Sequence, residues 1–178
     1  MAGEADLAII GRIQIAHSVF NPRKSTMPSS TRFAVAVHIL TGLAIHENQP
    51  LPSEIIAKSA STNASVIRRI LSMLNEAGFS TSQLGQGGGA LLARPASSIT
   101  LLDIYRAVEK VPLFSMHRTA PDKGCAVGKY IQPILQEKID IATAALELEL
   151  SRVSIADIAG QISESERLCP DLQDYQAR

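Results

Sequence analysis

The sequence predicts a mainly α protein with a small β-hairpin wing: a winged helix-turn-helix followed by a long C-terminal dimerisation helix. Three observations predict it. Residues 53–78 carry the pattern of two helices joined by a tight turn. Directly after them, Gly85-Gln86-Gly87-Gly88-Gly89 separates two strand-like runs, Phe79–Leu84 and Ala90–Ala93. Glycine accepts positive φ and tight reversals, so the cluster marks a hairpin tip. Third, apolar residues spaced mainly by three and four run from 127 to 153, a longer stripe than a small domain needs for its own core.

Taken in order, residues 1–26 read as an N-terminal extension ending in Asn21-Pro22-Arg23-Lys24-Ser25-Thr26. Met27 is a candidate alternative start, and a short surface helix at 5–19 is the competing reading. Residues 27–96 read as the winged helix-turn-helix. From Ser30 to His46, Phe33, Val37, Leu40 and Ala44 recur at helical spacing and give the first helix. Ser53 is read as the cap of a short second helix containing Ile55, Ile56 and Ala57, and Ser61-Thr62 as the turn. Asn63 is a good N-cap for the third helix, which ends near Gly78. In that helix Ile67, Ile70, Leu71 and Leu74 form the buried stripe, while Ser65, Arg69, Ser72 and Glu76 face the other way with Arg68 on the flank.

Residues 97–163 read as a helical linker and dimerisation region. Thr100-Leu101-Leu102-Asp103 has the form of a capping box and opens a fourth helix to about Glu109. Residues 110–124 read as a loop. The long helix then carries Ile131, Ile134, Leu135, Ile139, Ala142, Leu146, Leu150 and Val153, which a partner subunit would bury. Ser154 to Asp157 caps one more short helix, and 164–178 read as a polar tail.

Composition is that of a globular chain with a core: 46% hydrophobic, 19% charged, and only 4% aromatic, so the core is aliphatic and favours helices. No apolar run approaches the roughly 18 residues of a membrane span. Residues 1–26 lack a signal peptide's layout, which gives a cytoplasmic expectation. Formal net charge is zero, but residues 27–95 hold five basic side chains (Arg32, Lys58, Arg68, Arg69, Arg94) against three acidic, while 96–178 are net acidic. Phosphate contacts supply much of DNA affinity, so one copy should bind DNA weakly and two copies are expected.

The base-edge and phosphate candidates are Asn63, Ser65, Val66, Arg68 and Arg69 at the start of the third helix, because a helix-turn-helix places those first turns in the major groove. Arg32 is a candidate phosphate clamp. Gln83 and Gln86 on the wing are candidates for phosphate or base contact, with plain turn residues as the alternative. No strand-elbow serine or nucleophile–base set is present, and the glycine cluster lacks the Lys-Ser/Thr of a phosphate loop, so no enzyme activity is expected. His117 with Cys125 has no standard zinc spacing, and no metal or other cofactor is expected. His38 reads as a helix-face histidine, His46 as one at a helix C-terminus, and Cys169 as a free thiol in the tail.

Met27 to Gln161 resembles the Rrf-type family of bacterial winged-helix transcriptional regulators. The resemblance rests on Ser30-Thr31-Arg32-Phe33-Ala34-Val35, Glu54-Ile55-Ile56-Ala57, Arg69-Ile70-Leu71 and Leu74-Asn75-Glu76-Ala77-Gly78-Phe79. It continues through the wing, Gly85 to Arg94, and through Ile99-Thr100-Leu101-Leu102-Asp103-Ile104 and Ala107-Val108-Glu109. It implies a homodimer on a palindromic stretch of double-stranded DNA, with the long helix crossing to the partner. It also implies two departures. Leu84 stands where several relatives carry a minor-groove arginine. Cluster-binding relatives have three cysteines before the long helix, whereas Leu113, Thr119 and Cys125 stand here, with Gly128 where one relative has a histidine. A cluster needs about four ligands, so none is expected.

Cys125 keeps two readings. Beside a helix N-terminus, with Lys129 one turn on, it would favour thiolate and act as a thiol sensor; alternatively it packs against the partner. The function expected is a homodimeric, sequence-specific transcriptional regulator, a repressor, responding to thiol oxidation or electrophiles at Cys125. The alternative is a winged-helix protein-interaction module without sequence-specific DNA binding.

Overall fold

A computed structural model describes residues 31–168 apart from 86 and 111 and the side chains of 166–168. The 1–26 extension, Met27, Gln86 and Cys169 lie outside the described residues.

The first helix, α1 (Arg32–Ile45), is apolar around most of its circumference, and it is packed on several sides, by α3, α4, α6 and the wing defined below. Its fully buried stripe is Ala36, Ile39, Leu40 and Leu43, one face round from the expected stripe. Of the expected residues only Leu40 is fully buried, while Phe33, Val37 and Ala44 flank the core. A helix with so few polar positions does not fix its inner face by period alone.

α2 (Ser53–Ser59) starts one residue earlier than a cap at Ser53 would place it. Pro52 holds the cap position with extended backbone, and Ser53 is the first helical residue. The turn into α3 (Ala64–Glu76) closes with Thr62 N–H on Ala57 O at 2.9 Å and Ser61 N–H on Lys58 O at 3.2 Å, with Ser61 at φ 47°. Asn63 then caps α3, its side chain accepting Ser65 N–H at 2.8 Å, as the sequence predicts. At the other end Gly78 takes φ 73°, and Phe79 N–H and Gly78 N–H return to Leu74 O and Asn75 O at 2.8 and 2.9 Å. That pair of bonds satisfies carbonyls of the last turn, and Phe79 and Leu74 on either side of it both belong to the buried core.

β1 (Ser80–Gln83) and β2 (Gly89–Leu92) form the antiparallel wing, with Ser80 opposite Leu92 and Gln83 opposite Gly89. The wing has a third point of pairing that sequence reasoning missed. Leu51 exchanges both backbone hydrogen bonds with Ala90, at 3.0 and 2.9 Å. A Cβ on Gly89 would lie 2.4–2.8 Å from the Leu51 backbone, so only glycine permits this approach. The wing is thereby anchored directly ahead of α2.

A 3-10 turn (Ala96–Ser98) leads to α4 (Leu101–Val108), whose capping box is present in full, Thr100 Oγ1 accepting Asp103 N–H at 3.1 Å and Asp103 accepting Thr100 N–H at 3.0 Å. α5 (Ala126–Ser151) is the long helix, with Pro133 inside it. α6 (Ile155–Leu168) opens on a second reciprocal cap between Ser154 and Asp157 and runs past 163, where a polar tail was expected. Its sequence is polar but a good helix former, and an apolar edge anchors it: Ile155 is fully buried, and Ile158 and Ile162 line a groove with Val37 and Ile45 of α1. Leu101 N–H on Val153 O and Ile155 N–H on Ile99 O, both at 2.9 Å, clamp the start of α6 to the head. The chain therefore leaves the head along α5 and returns to it at α6. Among the described residues no helix is long and apolar enough to cross a membrane.

Candidate nucleic-acid interface

The core fixes which face of α3 looks outward. Ile67, Ile70 and Leu74 are buried, so Asn63, Ser65, Val66, Arg68, Arg69 and Ser72 are exposed together on the opposite side. β1 and β2 stand beside that face and enclose with it a cleft of about 390 Å³, whose walls include Ser53, Arg68, Ser72, Gln83 and Gly89. The wing tip is tightly folded: a Cβ on Gly88 would meet Gln83 O at 2.3 Å. Leu84, at the tip, is 91% exposed and presents an isobutyl group where a minor-groove arginine would be cationic.

The five basic groups of the head fall into three kinds. Arg32 is half-buried and pairs with Glu109 at the end of α4 at 2.9 Å, which places it away from the cleft. Arg94 lies 4.6 Å over the Phe79 ring and 3.6 Å from Asp103. These two are engaged in holding the head together. Among the described residues Arg69 and Lys58 have no ion-pair partner, and both are exposed. Arg68 is intermediate. Its Nε donates to Ser53 Oγ at 3.2 Å, and its Nη2 makes a short ion pair with Glu54 Oε1. The Glu54 carboxyl is held below the usual carboxylate range by a backbone N–H first and by the Arg68 guanidinium second. Sequence reasoning missed Ser53 and Glu54 as parts of the site; the signal was an acid and a base of opposite sign on the two helices of one helix-turn-helix.

His38, on the exposed side of α1, contacts Ser59 Oγ through Nε2 at 2.9 Å, and His46 is the C-cap of α1.

The second candidate region is the N-terminus of α5. Cys125 is its N-cap, with Sγ accepting Gly128 N–H at 3.1 Å, and the side chain is exposed. The preceding loop folds over this turn so closely that a Cβ on Gly128 would lie 1.9 Å from Asp122 O. These residues do not fit an iron–sulfur cluster. Leu113 and Thr119 offer no thiolate, Gly128 has no room for a side chain, and the described residues contain no group of three or more His, Cys, Asp or Glu able to hold a metal.

α5 carries apolar side chains on two faces, not the single stripe expected. Ile139 and Leu146 line a groove against Tyr105 and Arg106 of α4, and Arg106 pairs with Glu147 at 2.7 Å across it. On the other face Val127, Ile134, Ile141 and Leu148, spaced by seven, are 70%, 55%, 59% and 52% exposed. Val127, Ile141 and Leu148 were not in the expected stripe. No residue of α5 is fully buried within the chain.

Comparison with known proteins agrees with this architecture. The Rrf2 family model, described as an iron-dependent transcriptional regulator, matches residues 29–161. A Bacillus subtilis protein, YwnA, named among HTH-type transcriptional regulators, is 41% identical over 134 residues, 75% of this chain and 98% of its own length. The transcriptional regulator IscR of Cereibacter sphaeroides is 28% identical, covering 81% of this chain and 92% of IscR. A solved structure described as that of a DNA-binding protein is 40% identical with a TM-score of 0.57, over 71% of this chain and 97% of that one. CymR of Bacillus subtilis, at 22% identity and a TM-score of 0.57 over 76% of this chain and 98% of CymR, shares the fold. These relatives are regulators rather than enzymes.

Proposed function

The chain belongs to the Rrf2 family of transcriptional regulators, and from the geometry of α3 and α5 we propose that it is a homodimeric, sequence-specific repressor of the branch without an iron–sulfur cluster. The observation that carries the DNA-reading part is the outward face of α3 beside the wing, where Ser65, Arg68 and Arg69 stand exposed together. A short hydroxyl and long guanidinium groups suit base edges and phosphates. Among the described residues of the head only Arg69, on this face, and Lys58, on α2, are exposed cations without an ion-pair partner, so one head gains little counterion release. A two-fold dimer on a palindromic operator doubles it.

The test is selection of bound fragments from genomic DNA, followed by affinity measurements on the selected fragment and on random duplex across a salt series. Enrichment of a palindromic fragment, steep salt dependence, and reduced transcription from a reporter carrying that fragment are expected. No enrichment and no salt-dependent binding would favour the protein-interaction alternative.

Cys125 is the candidate input. Its sulfur accepts the Gly128 amide in the first turn of α5, and oxidation would replace that acceptor with a bulkier polar group or a disulfide at the junction of loop and arm. Such a change alters DNA affinity only if the modified thiol fits one dimer state better than the other. Mild peroxide is expected to change operator affinity of the native protein, and Cys125→Ser to remove the response while Cys169→Ser keeps it. The protein is expected to stay colourless after anaerobic iron–sulfur reconstitution. Identical binding of wild type and Cys125→Ser under reducing and oxidising conditions returns Cys125 to a packing role, and a stable brown chromophore overturns the assignment to the cluster-free branch.

A further inference from the structure

The contact between Arg68 and the N-terminus of α2 has a geometry with consequences for base reading. A guanidinium has two usable edges. In Arg68 the side edge is committed, Nε to Ser53 Oγ at 3.2 Å and one Nη2 hydrogen to Glu54 Oε1. Ser53 Oγ also donates to Glu54 Oε2 at 3.3 Å, so the three side chains close a ring across the helix-turn-helix. The end edge, made of one Nη1 hydrogen and the second Nη2 hydrogen, has no partner among the described residues, and Arg68 lines the cleft between α3 and the wing. Two parallel N–H groups are what guanine O6 and N7 accept from an arginine.

From this geometry we infer that Arg68 reads a guanine in each half-site and that Glu54, with Ser53, is the positioning residue that makes the reading specific. The inference rests on the proposal that this face binds operator DNA. The physical reason is that a free arginine swings among rotamers and finds phosphate as readily as a base, because both accept its hydrogens. Anchoring one edge removes much of that freedom before DNA arrives, so less order is lost on binding. Glu54 adds a second effect. Its charge sits beside the DNA-facing surface and cancels Arg68 toward phosphate at long range, while the end-on hydrogens remain available at contact. Glu54 therefore lowers affinity for any duplex and raises the preference for the right one.

These two effects have opposite signs in one substitution, and a purely structural role would not produce that. Glu54→Gln keeps the size and an oxygen acceptor but removes the charge. The experiment measures binding of the wild type, Glu54→Gln, Ser53→Ala and Arg68→Lys to a fragment selected from genomic DNA by the wild type, to its single-base variants and to random duplex. The wild type is expected to discriminate at one guanine per half-site by about 5- to 150-fold, the range of a bidentate contact. Glu54→Gln should lose most of that discrimination at that position alone. It should also bind random duplex more tightly, with a salt slope steeper by about one. Arg68→Lys, which keeps the charge without the fork, should lose the same discrimination while keeping random binding. Ser53→Ala should show a smaller loss of the same kind, so a Glu54→Gln protein that folds poorly does not decide the matter. Wild-type discrimination at every position in both Glu54→Gln and Ser53→Ala overturns the inference and leaves operator binding standing. A wild type that prefers no fragment over random duplex overturns both.

Discussion

Ile141→Glu is expected to convert the protein from a dimer to a folded monomer that no longer holds operator DNA. Val127, Ile134, Ile141 and Leu148 recur every seven residues on the outward face of α5, and each is more than half exposed in the single chain. An exact seven-residue repeat keeps one seam facing a partner helix, the condition for pairing two helices along their length. Each such side chain contributes about 1.5–3 kcal/mol when taken fully out of water. In a two-fold dimer the residue occurs twice, so a glutamate there removes two apolar contacts and puts two like charges into the seam. The combined loss is several kcal/mol, enough to dissociate a dimer at micromolar concentration.

The position matters. Leu146 lies in the groove against α4, so Leu146→Glu is expected to destabilise the chain itself, whereas Ile141→Glu leaves its melting profile intact. Lys123→Glu, exposed in the loop ahead of α5 and not on its seam face, is the control and should remain dimeric. Sedimentation equilibrium with circular dichroism separates the three. A folded, fully dimeric Ile141→Glu would place the interface elsewhere than on α5.

The helix-turn-helix was legible because α3 has one apolar stripe and one polar face, so Ile67, Ile70 and Leu74 identify inside and Ser65, Arg68 and Arg69 identify outside. Asn63, Gly78 and the Thr100–Asp103 pair were legible for a different reason: each has a local backbone task that few residue types perform. α1 and α5 resisted. Where most positions are apolar, or where two faces are apolar for two different neighbours, period alone assigns a helix without assigning its contacts. The Leu51–Ala90 pairing was hidden because one residue between prolines has no strand pattern. The Glu54–Arg68 contact was hidden because exposed charges leave no burial signal, and only the folded turn brings residues 14 apart into contact. Arg32 shows the converse: an arginine on a candidate DNA-binding domain whose partner, Glu109, is 77 residues away.

Arg68→Ala with Arg69→Ala is expected to abolish preference for the operator while leaving the fold unchanged. Both side chains are exposed, and neither belongs to the aliphatic core that holds α3 against α1 and α4. Their roles differ, so the single substitutions should differ too. Arg69 has no partner among the described residues and stands on the outward face of α3, where its charge is free for phosphate. Losing it should weaken binding to operator and random duplex alike and reduce the salt slope by about one. Arg68 is held by Ser53 and Glu54, and losing it also leaves Glu54 uncompensated at the surface, so Arg68→Ala should relax discrimination and weaken all binding together. Each well-made arginine–base contact contributes about 1–3 kcal/mol. Neighbouring residues on one helix are rarely additive, so the double variant measures the pair rather than a sum. Fluorescence anisotropy on the selected fragment and on random duplex, with melting temperature as the control for folding, reads all three. Operator affinity in the double variant equal to that of the wild type, with the fold intact, would remove α3 as the reading helix and leave the wing as the only candidate.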